Sequence, residues 1–475
     1  MKIKLKKFTE LSKKILPHEA QYLALINNFQ DDGKRHIFNQ VVENALSQSV
    51  FVSFDENIDK RKYNYIKNWM EKKLTFIDVD LTTEWIMLYK KKILTDTISS
   101  LEEDHFLQYI QSYKQVDYNF QNLYELAREY RAYVLIRMRY KDHQIIADFL
   151  ELFLPHFVKS KKIQDKLYQA TTEITNQYTL KNSETKYWEK WLYKVFSTTR
   201  IDGRNRYQAF VLLAFMFTNY NDNQKLKLLF DQIDIFFSRG EMYSRRLLSN
   251  YYANRVLLHS KENELIKAEY FGFLSIRQDN DDTLMYVNNL VAILIKNNKP
   301  QKALELLENF KSLSESTHNY HQKISYTSYH IRLMTEFNQL LQAENIARLF
   351  LRKNEEAILK HRWHLFFTSY FNVLITKEKY DAVLQLFQKH KLQELENDRR
   401  KRNNYVPTIS WSVSLSKYME GKINSARLLQ EIKEPLEGIT ITDNQRDLMI
   451  QVIDRLSKNL PEAFSKLKSH LKIIK

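Results

Sequence analysis

Glycine and proline each occur only six times in 475 residues, about 1.3% apiece against typical usage of roughly 7% and 5%. Sandwiches and barrels need glycine-rich turns at short intervals, and loops that cradle phosphates need glycine where backbone approaches the ligand. The six glycines, Gly33, Gly203, Gly240, Gly272, Gly421 and Gly438, are never close together, which excludes a P-loop nucleotide site. With 44% hydrophobic and 13% aromatic residues, the chain has the apolar mass to bury a core and is no disordered tail. The expected fold class is all-α.

The net charge is +16, from 73 Lys and Arg against 57 Asp and Glu, which admits an acidic partner, nucleic acid among them. The same lysine excess, beside abundant Asn, Ile, Tyr and Phe, is what codon usage in AT-rich DNA produces without selecting any binding surface. There is no cysteine, so disulfides, thiolate catalysis, iron–sulfur clusters and Cys-based zinc sites are excluded. That fits a cytoplasmic protein. Residues 1–7 are basic, but the stretch that follows, 8–14, lacks the apolar core of a signal peptide. No run reaches the roughly 18 apolar residues of a membrane span, so no membrane partner is expected.

Three stretches differ in texture. Residues 1–110 read as an N-terminal, mostly helical region whose short apolar runs, 49–54 and 74–81, are taken as helix plus loop rather than strand. Residues 111–204 read as a helical connecting region or early repeats, with Tyr124, Ala127, Tyr130, Tyr133 and Val134 at helical spacing. From 205 to 475 the helices fall into pairs. The clearest runs from Asp282 to Leu313, with Leu284, Val287, Leu290, Val291 and Leu294 on one helix and Ala303, Leu306, Leu307, Phe310 and Leu313 on the next. Pro300 suits the first position of the second helix, where its missing N–H costs nothing. Comparable second helices begin near Leu226, Ala268, Ala347, Ala382 and Ala426, giving intervals of 42, 35, 44, 35 and 44 residues with Ala303 included. A unit this short cannot bury its apolar face alone, so neighbouring pairs must stack, as in a solenoid.

Val287, Leu290, Leu294, Ala303 and Leu307 in one pair, and Phe366, Tyr370, Val373, Tyr380, Ala382 and Leu386 in another, resemble the tetratricopeptide-repeat family. Trp411, Leu415, Tyr418, Gly421 and Ala426 follow with a shift of about one residue. The sequence departs from the family where Val291 and Tyr370 replace its small residue, and where the longer intervals exceed its 34 residues. The resemblance covers 205–455 and is tetratricopeptide-like rather than a match to a subfamily. It implies a superhelix whose groove grips a peptide or partner protein. In peptide-binding members an Asn on the first helix holds the ligand backbone, which points to Asn289 and, less directly, Asn288.

His361 and His364 stand at i, i+3, a metal-compatible spacing. They lack the neighbouring acid of a zinc-hydrolase motif, so no metal or other cofactor is expected; His318 and His321 read as a turn between helices. The acidic runs Glu102-Glu103-Asp104, Asp281-Asp282 and Glu355-Glu356 read as helix starts, where carboxylates complement the dipole, and no catalytic residue is assigned. The basic clusters Arg204 and Arg206, Arg245 and Arg246, and Arg399-Arg400-Lys401-Arg402 are candidate contacts for an acidic ligand. The last of them sits where a helix should end before Pro407 and could equally complement a helix C-terminus. Residues 459–464 open a final helix, with Phe464, Leu467 and Leu471 on one side, that would cap the array. The reading is a non-enzymatic interaction scaffold for an unidentified, acidic protein or peptide; the alternative is a regulator gripping nucleic-acid phosphates through its Arg and Lys clusters.

Overall fold

The computed structural model describes residues 5–47, 51–180, 184–400, 405–438, 441 and 443–473. Every regular element among them is helical: twenty-five α-helices, 3-10 turns at Lys186–Trp188 and Glu434–Leu436, and a π turn at Ile358–Arg362. The expected loop at 74–81 is absent. Leu74 to Ile77 finish helix Lys60–Ile77, and Asp78 opens helix Val79–Leu94 at once, its carboxylate accepting from the Asp80 and Leu81 backbone N–H groups. Among the described residues, no helix is long and apolar enough to cross a membrane. The chain divides into two compact units, 1–258 and 259–475; the expected boundaries at 110 and 204 both fall inside the first.

In the first unit, helix Pro17–Ile26 packs against helix Asn223–Ser238. Glu19, fully buried, ties them to the residues that follow. Its carboxylate accepts from the Leu16 backbone N–H at 2.9 Å, the Tyr243 hydroxyl at 2.6 Å, and Arg245 through Nε at 2.8 Å and a terminal nitrogen at 3.1 Å. Beside it, the His18 ring lies 2.8 Å from both the Tyr252 hydroxyl and Asp234 Oδ1, and Tyr251 donates to the same Asp234 oxygen. Burial alone would raise the Asp234 pKa, yet the hydrogen bonds from His18 and Tyr251 and the Arg255 charge hold it below the usual range. Gly240 completes the contact: its φ is +76° and a Cβ there would lie 2.8 Å from the Tyr22 ring. A further core runs from Ile86 to Phe157, where helix Phe120–Ile136 packs on the 41-residue helix Tyr140–Leu180.

In the second unit, consecutive helices pair across short links: Thr283–Lys296 with Pro300–Asn309, Tyr320–Glu336 with Leu340–Ala357, Trp363–Thr376 with Tyr380–Lys389, and Thr408–Met419 with Ser425–Lys433. Pro300 takes the first helical position, as its sequence context predicts. Each link turns on one left-handed residue, Asn298, Asn338, Glu378 or Gly421. The next backbone N–H then reaches back to a carbonyl five residues earlier: Lys299 to Leu294, Gln339 to Met334, Lys379 to Leu374 and Lys422 to Lys417, at 2.8 or 2.9 Å. This is the helix-ending motif that satisfies orphan carbonyls while reversing the chain. Asn221 and Asn263 do the same earlier in the sequence, so the left-handed positions recur at 42, 35, 40, 40 and 43 residues.

The first helices of these pairs also pack on one another in sequence, Thr283–Lys296, Tyr320–Glu336, Trp363–Thr376 and Thr408–Met419, and the row continues to Asp443–Leu456. One apolar core extends unbroken from Leu284 to Leu471. Of the residues that mark the second helices, Leu226, Ala268, Ala303 and Ala347 are buried and Ala382 is half-buried, but Ala426 is exposed, and Leu428 and Ile432 bury in its pair instead. Phe464, Leu467 and Leu471 of helix Pro461–Ile473 are fully buried.

Removing Arg245 strands the buried Glu19 carboxylate, and deleting one partner of a buried pair costs about 3 kcal/mol or more. Arg245→Ala is therefore expected to destabilise the first unit by about that amount in denaturant unfolding, with hydrogen exchange across 17–26 accelerated. A loss below about 0.5 kcal/mol would show that the clamp does not hold these helices.

Candidate functional site

The basic residues singled out from sequence meet different fates. Arg206 is buried, donates to the Phe196 carbonyl at 3.0 Å and pairs with Glu241. Arg245 belongs to the Glu19 clamp, and Arg246 makes a two-pronged pair with Asp80 at 2.7 and 3.0 Å. These three have partners within the first unit; Arg204 and Arg246 are the exposed members of the set, Arg246 with its charge paired to Asp80. Arg400 donates to the carbonyls of Glu434 and Glu437 and Arg399 is partly buried, while Lys401 and Arg402 lie outside the described residues. Asn288 is buried, and its amide nitrogen donates to the Gln322 carbonyl and side chain at 3.0 and 3.1 Å because the neighbouring first helix packs over it, while its Oδ1 is buried with no hydrogen-bond partner. Asn289 is half-buried.

The acidic runs behave as helix starts in part. Glu102 completes a capping box with Ser99, and Asp282 precedes helix Thr283–Lys296. Glu103, however, is buried and bonded by Tyr130 and Arg139, and Glu355-Glu356 stand at the end of helix Leu340–Ala357, with Glu355 3.0 Å from His390. A second polar junction joins Asp117, Ser160 and Asp202: Ser160 donates to Asp202 and accepts from Gln121, so its hydroxyl is saturated. Burial pushes the Asp117 carboxyl up to about 6.

His361 and His364 do not share a face. Arg362, with φ −140°, breaks the helix between them. The His361 ring instead lies 4.6 Å from that of His321 at a tilt of 52°, and the His321 pKa is lowered by burial and then by the His361 and Arg362 charges. The donor atoms of His259, Glu262 and Glu264 come within 4.8 Å of one another. Glu264 is already taken by Lys267 and by His259 Nδ1 at 2.7 Å, and its backbone N–H closes the Asn263 turn on the His259 carbonyl. That group locks a turn.

One cluster is different. Along helix Trp363–Thr376, His364, Thr368 and Asn372 succeed each other every four residues and so share a face. Thr368 and Asn372 line a small cleft with Thr408 and Ser412 of the next first helix and with Val452, Arg455 and Leu456 of helix Asp443–Leu456. The cleft opens to solvent, and the space inside it that a water-sized molecule can reach is about 10 Å³, room for about one water. The Thr368 hydroxyl is buried with no hydrogen-bond partner. Its neighbours follow the usual habit of helical hydroxyls, bonding the carbonyl four residues back: Thr376 to Asn372 at 2.7 Å and Ser412 to Thr408 at 2.8 Å. Arg455 has no hydrogen-bond or ion-pair partner among the described residues; burial, and then the charge of Arg332 from helix Tyr320–Glu336, push its guanidinium down to about 10. Arg332 likewise has no such partner. Arg455 thus feels a like charge and has no carboxylate partner among the described residues, which packing alone penalises. His364, next on the stripe, is pushed down to about 3 by burial and then by Arg399, so its ring is neutral, and its Nε2 has no partner.

Sequence inspection missed this cleft. The stripe was legible as three polar residues at four-residue spacing in an otherwise apolar and aromatic helix. Arg455 was not, since it is a single arginine on another helix, and only packing brings it to the stripe. No protein-family model, curated protein or solved structure matches the chain.

Two outcomes follow from these groups. Because Asp117 has a folded pKa near 6 against about 3.9 unfolded, the native state binds the extra proton between those values. Stability of the first unit should therefore fall as pH rises from about 4 to about 6, and Asp117→Asn should flatten that slope in unfolding measured across this range. Arg455→Met, by contrast with Arg245→Ala, removes an uncompensated cation and should leave the second unit as stable or raise it by about 1 kcal/mol. A loss of more than about 2 kcal/mol would mean that Arg455 has a structural partner.

Proposed function

We propose that the chain is a non-enzymatic interaction protein whose second unit is a tetratricopeptide-like array, using its row of first helices to recognise an acidic segment of a partner protein. The observation that carries this reading is Arg455, half-buried at the cleft with no ion-pair partner among the described residues, where Arg206, Arg245 and Arg255 each have an acid beside them. Uncompensated charge retained at a cost in stability is a mark of binding surfaces. Three features support the array: the recurring left-handed turns, the packing of each first helix on the next, and the single core running through the unit. They give each pair an exposed edge of its first helix, where side chains unneeded for packing can meet a ligand. Buried ionisable groups of the first unit satisfy one another, which supports a structural role for them rather than acid–base chemistry. A phosphate-backbone reading is weakened, because Arg206, Arg245 and Arg246 are engaged internally.

Capture with the tagged full-length protein, with and without nuclease and with Arg455→Met in parallel, tests this. The expected result is a defined protein that survives nuclease and is lost with Arg455→Met. Partners that vanish on digestion, with capture falling steeply in salt as counterion release requires, would replace this reading with nucleic-acid binding.

A further inference from the structure

Two helix-ending turns of the first unit lie side by side. Helix Val79–Leu94 reverses through residues 95–99 into helix Ser100–Ser112, and helix Phe120–Ile136 reverses through 137–139 into helix Tyr140–Leu180. The first helix of one pair packs on the first of the other, and the second on the second. Both turns therefore come to one end of the bundle, where Arg137 clips them together by donating to Asp96 at 2.6 Å. Each turn carries one left-handed residue, Asp96 at φ +53° and Met138 at φ +57°. The next N–H returns to the carbonyl five residues earlier, Thr97 to Lys92 at 2.8 Å and Arg139 to Val134 at 3.0 Å.

What these turns present to solvent is apolar. Leu94 is 63% exposed, Leu101 79%, Ile136 78%, Met138 73% and Tyr140 67%. Single exposed apolar residues are ordinary, but five large ones gathered on two adjoining turns mark an interaction surface. Met138 sharpens the point: a left-handed backbone is costly for a residue with a Cβ, and its side chain gains no burial in exchange.

Charge indicates what covers the patch. The acids at the turns are used internally, Asp96 by Arg137, Glu102 by Lys92, Glu103 by Tyr130 and Arg139, and Asp142 by Arg139 at 2.7 Å. Lys91, Arg131 and Lys141 are exposed and have no ion-pair or hydrogen-bond partner among the described residues. Lys91 shares a face with Leu94, Arg131 shares one with the exposed Leu135, and Lys141 follows Tyr140. The exposed acids Asp104 and Glu129 stand further back, in the second turn of helix Ser100–Ser112 and two turns before the end of helix Phe120–Ile136. We infer that this end of the first unit docks on the surface of a membrane containing anionic lipids, its apolar side chains entering the headgroup layer while Lys91, Arg131 and Lys141 meet lipid phosphates.

A small apolar tip and a few cations suffice for reversible surface binding, each supplying part of the affinity. A second copy of the chain would set the same cations against one another. A peptide would be held in a groove, whereas these side chains project from chain reversals. No helix among the described residues is long and apolar enough to cross a membrane, and surface docking needs none. The inference departs from the expectation of no membrane partner, which rests on spanning segments alone, and it is independent of the reading of the second unit.

Co-sedimentation of the full-length protein with vesicles tests it, using phosphatidylcholine alone and equal parts of phosphatidylcholine and phosphatidylglycerol. The expected result is binding to the mixed vesicles, about tenfold or more weaker to phosphatidylcholine alone, and reduced but not abolished by salt, which screens the cations and leaves the apolar contact. Ile136→Asp with Met138→Asp should weaken mixed-vesicle binding about tenfold or more without changing helicity or unfolding, since both side chains are exposed. A net charge of +16 could adsorb the chain to anionic vesicles by any face, so a second measurement locates the contact. The absence of cysteine lets Met138→Cys and Leu341→Cys each carry one environment-sensitive dye, Leu341 being 77% exposed in the second unit. The dye at 138 should shift to the blue on mixed vesicles, and the dye at 341 should not. Absence of binding, an equal shift at both positions, or unchanged binding by the folded aspartate variant would overturn the proposal. Self-association without vesicles that the aspartate variant abolishes would overturn it too, by assigning the patch to a second copy.

Discussion

Reversal of the chain by one left-handed residue governs the second unit. An α-helix ends with carbonyls that have lost their partners, and a residue with positive φ lets the next N–H bond one of them while turning the chain back. Asn298, Asn338, Glu378 and Gly421 each do this, with nearly identical bond lengths. Asparagine and glycine tolerate that conformation best; Glu378 does not, and its turn holds because Leu374, Ile375, Val383 and Leu384 on the two helices are buried on either side of it. Once the links are short and alike, the apolar face of each pair has one place to go, against the next first helix, and the core from Leu284 to Leu471 is the result.

That arrangement also decides which polar side chains are free. Asn288 has the residue type and helix position of a ligand contact, yet packing of the following first helix sets Gln322 against it and takes its amide N–H, leaving only the buried Oδ1 unbonded. On helix Trp363–Thr376 the equivalent polar stripe meets hydroxyls and an arginine rather than a matching amide, and the Thr368 hydroxyl is left unbonded. The first unit shows the opposite economy. Glu19, Asp234, Asp202 and Glu103 are each surrounded by donors, as buried carboxylates must be if they are to stay ionised or be held neutral without net cost. Residues that look catalytic by type, such as His18 beside Asp234 or Ser160 beside Asp202, are therefore parts of scaffolding in which each polar atom is already engaged.

Much of the helical character could be read directly. Scarce glycine and proline, helical spacing of apolar residues, Pro300 at a helix start and the final helix with Phe464, Leu467 and Leu471 inside all follow from local stereochemistry and amphipathic period, and the structure agrees on each. The repeat was less visible through its buried alanines, since Ala426 is exposed, than through the turn residues, whose spacing is more even. Local signals failed where long-range partners intervened: Arg245 looked like surface charge until Glu19, far away in sequence, was placed against it, and His361 looked like a mate for His364 until the backbone broke at Arg362.

Sequence alone determined that this chain is helical and that from about residue 205 its helices come in pairs, because propensity, capping and hydrophobic period act over a few residues. Which charges are paired and which are stranded was decided only by tertiary structure. An ion pair depends on separation in space, and the residues that neutralise Arg245 or fail to neutralise Arg455 lie on other helices, at distances along the chain that no local pattern encodes.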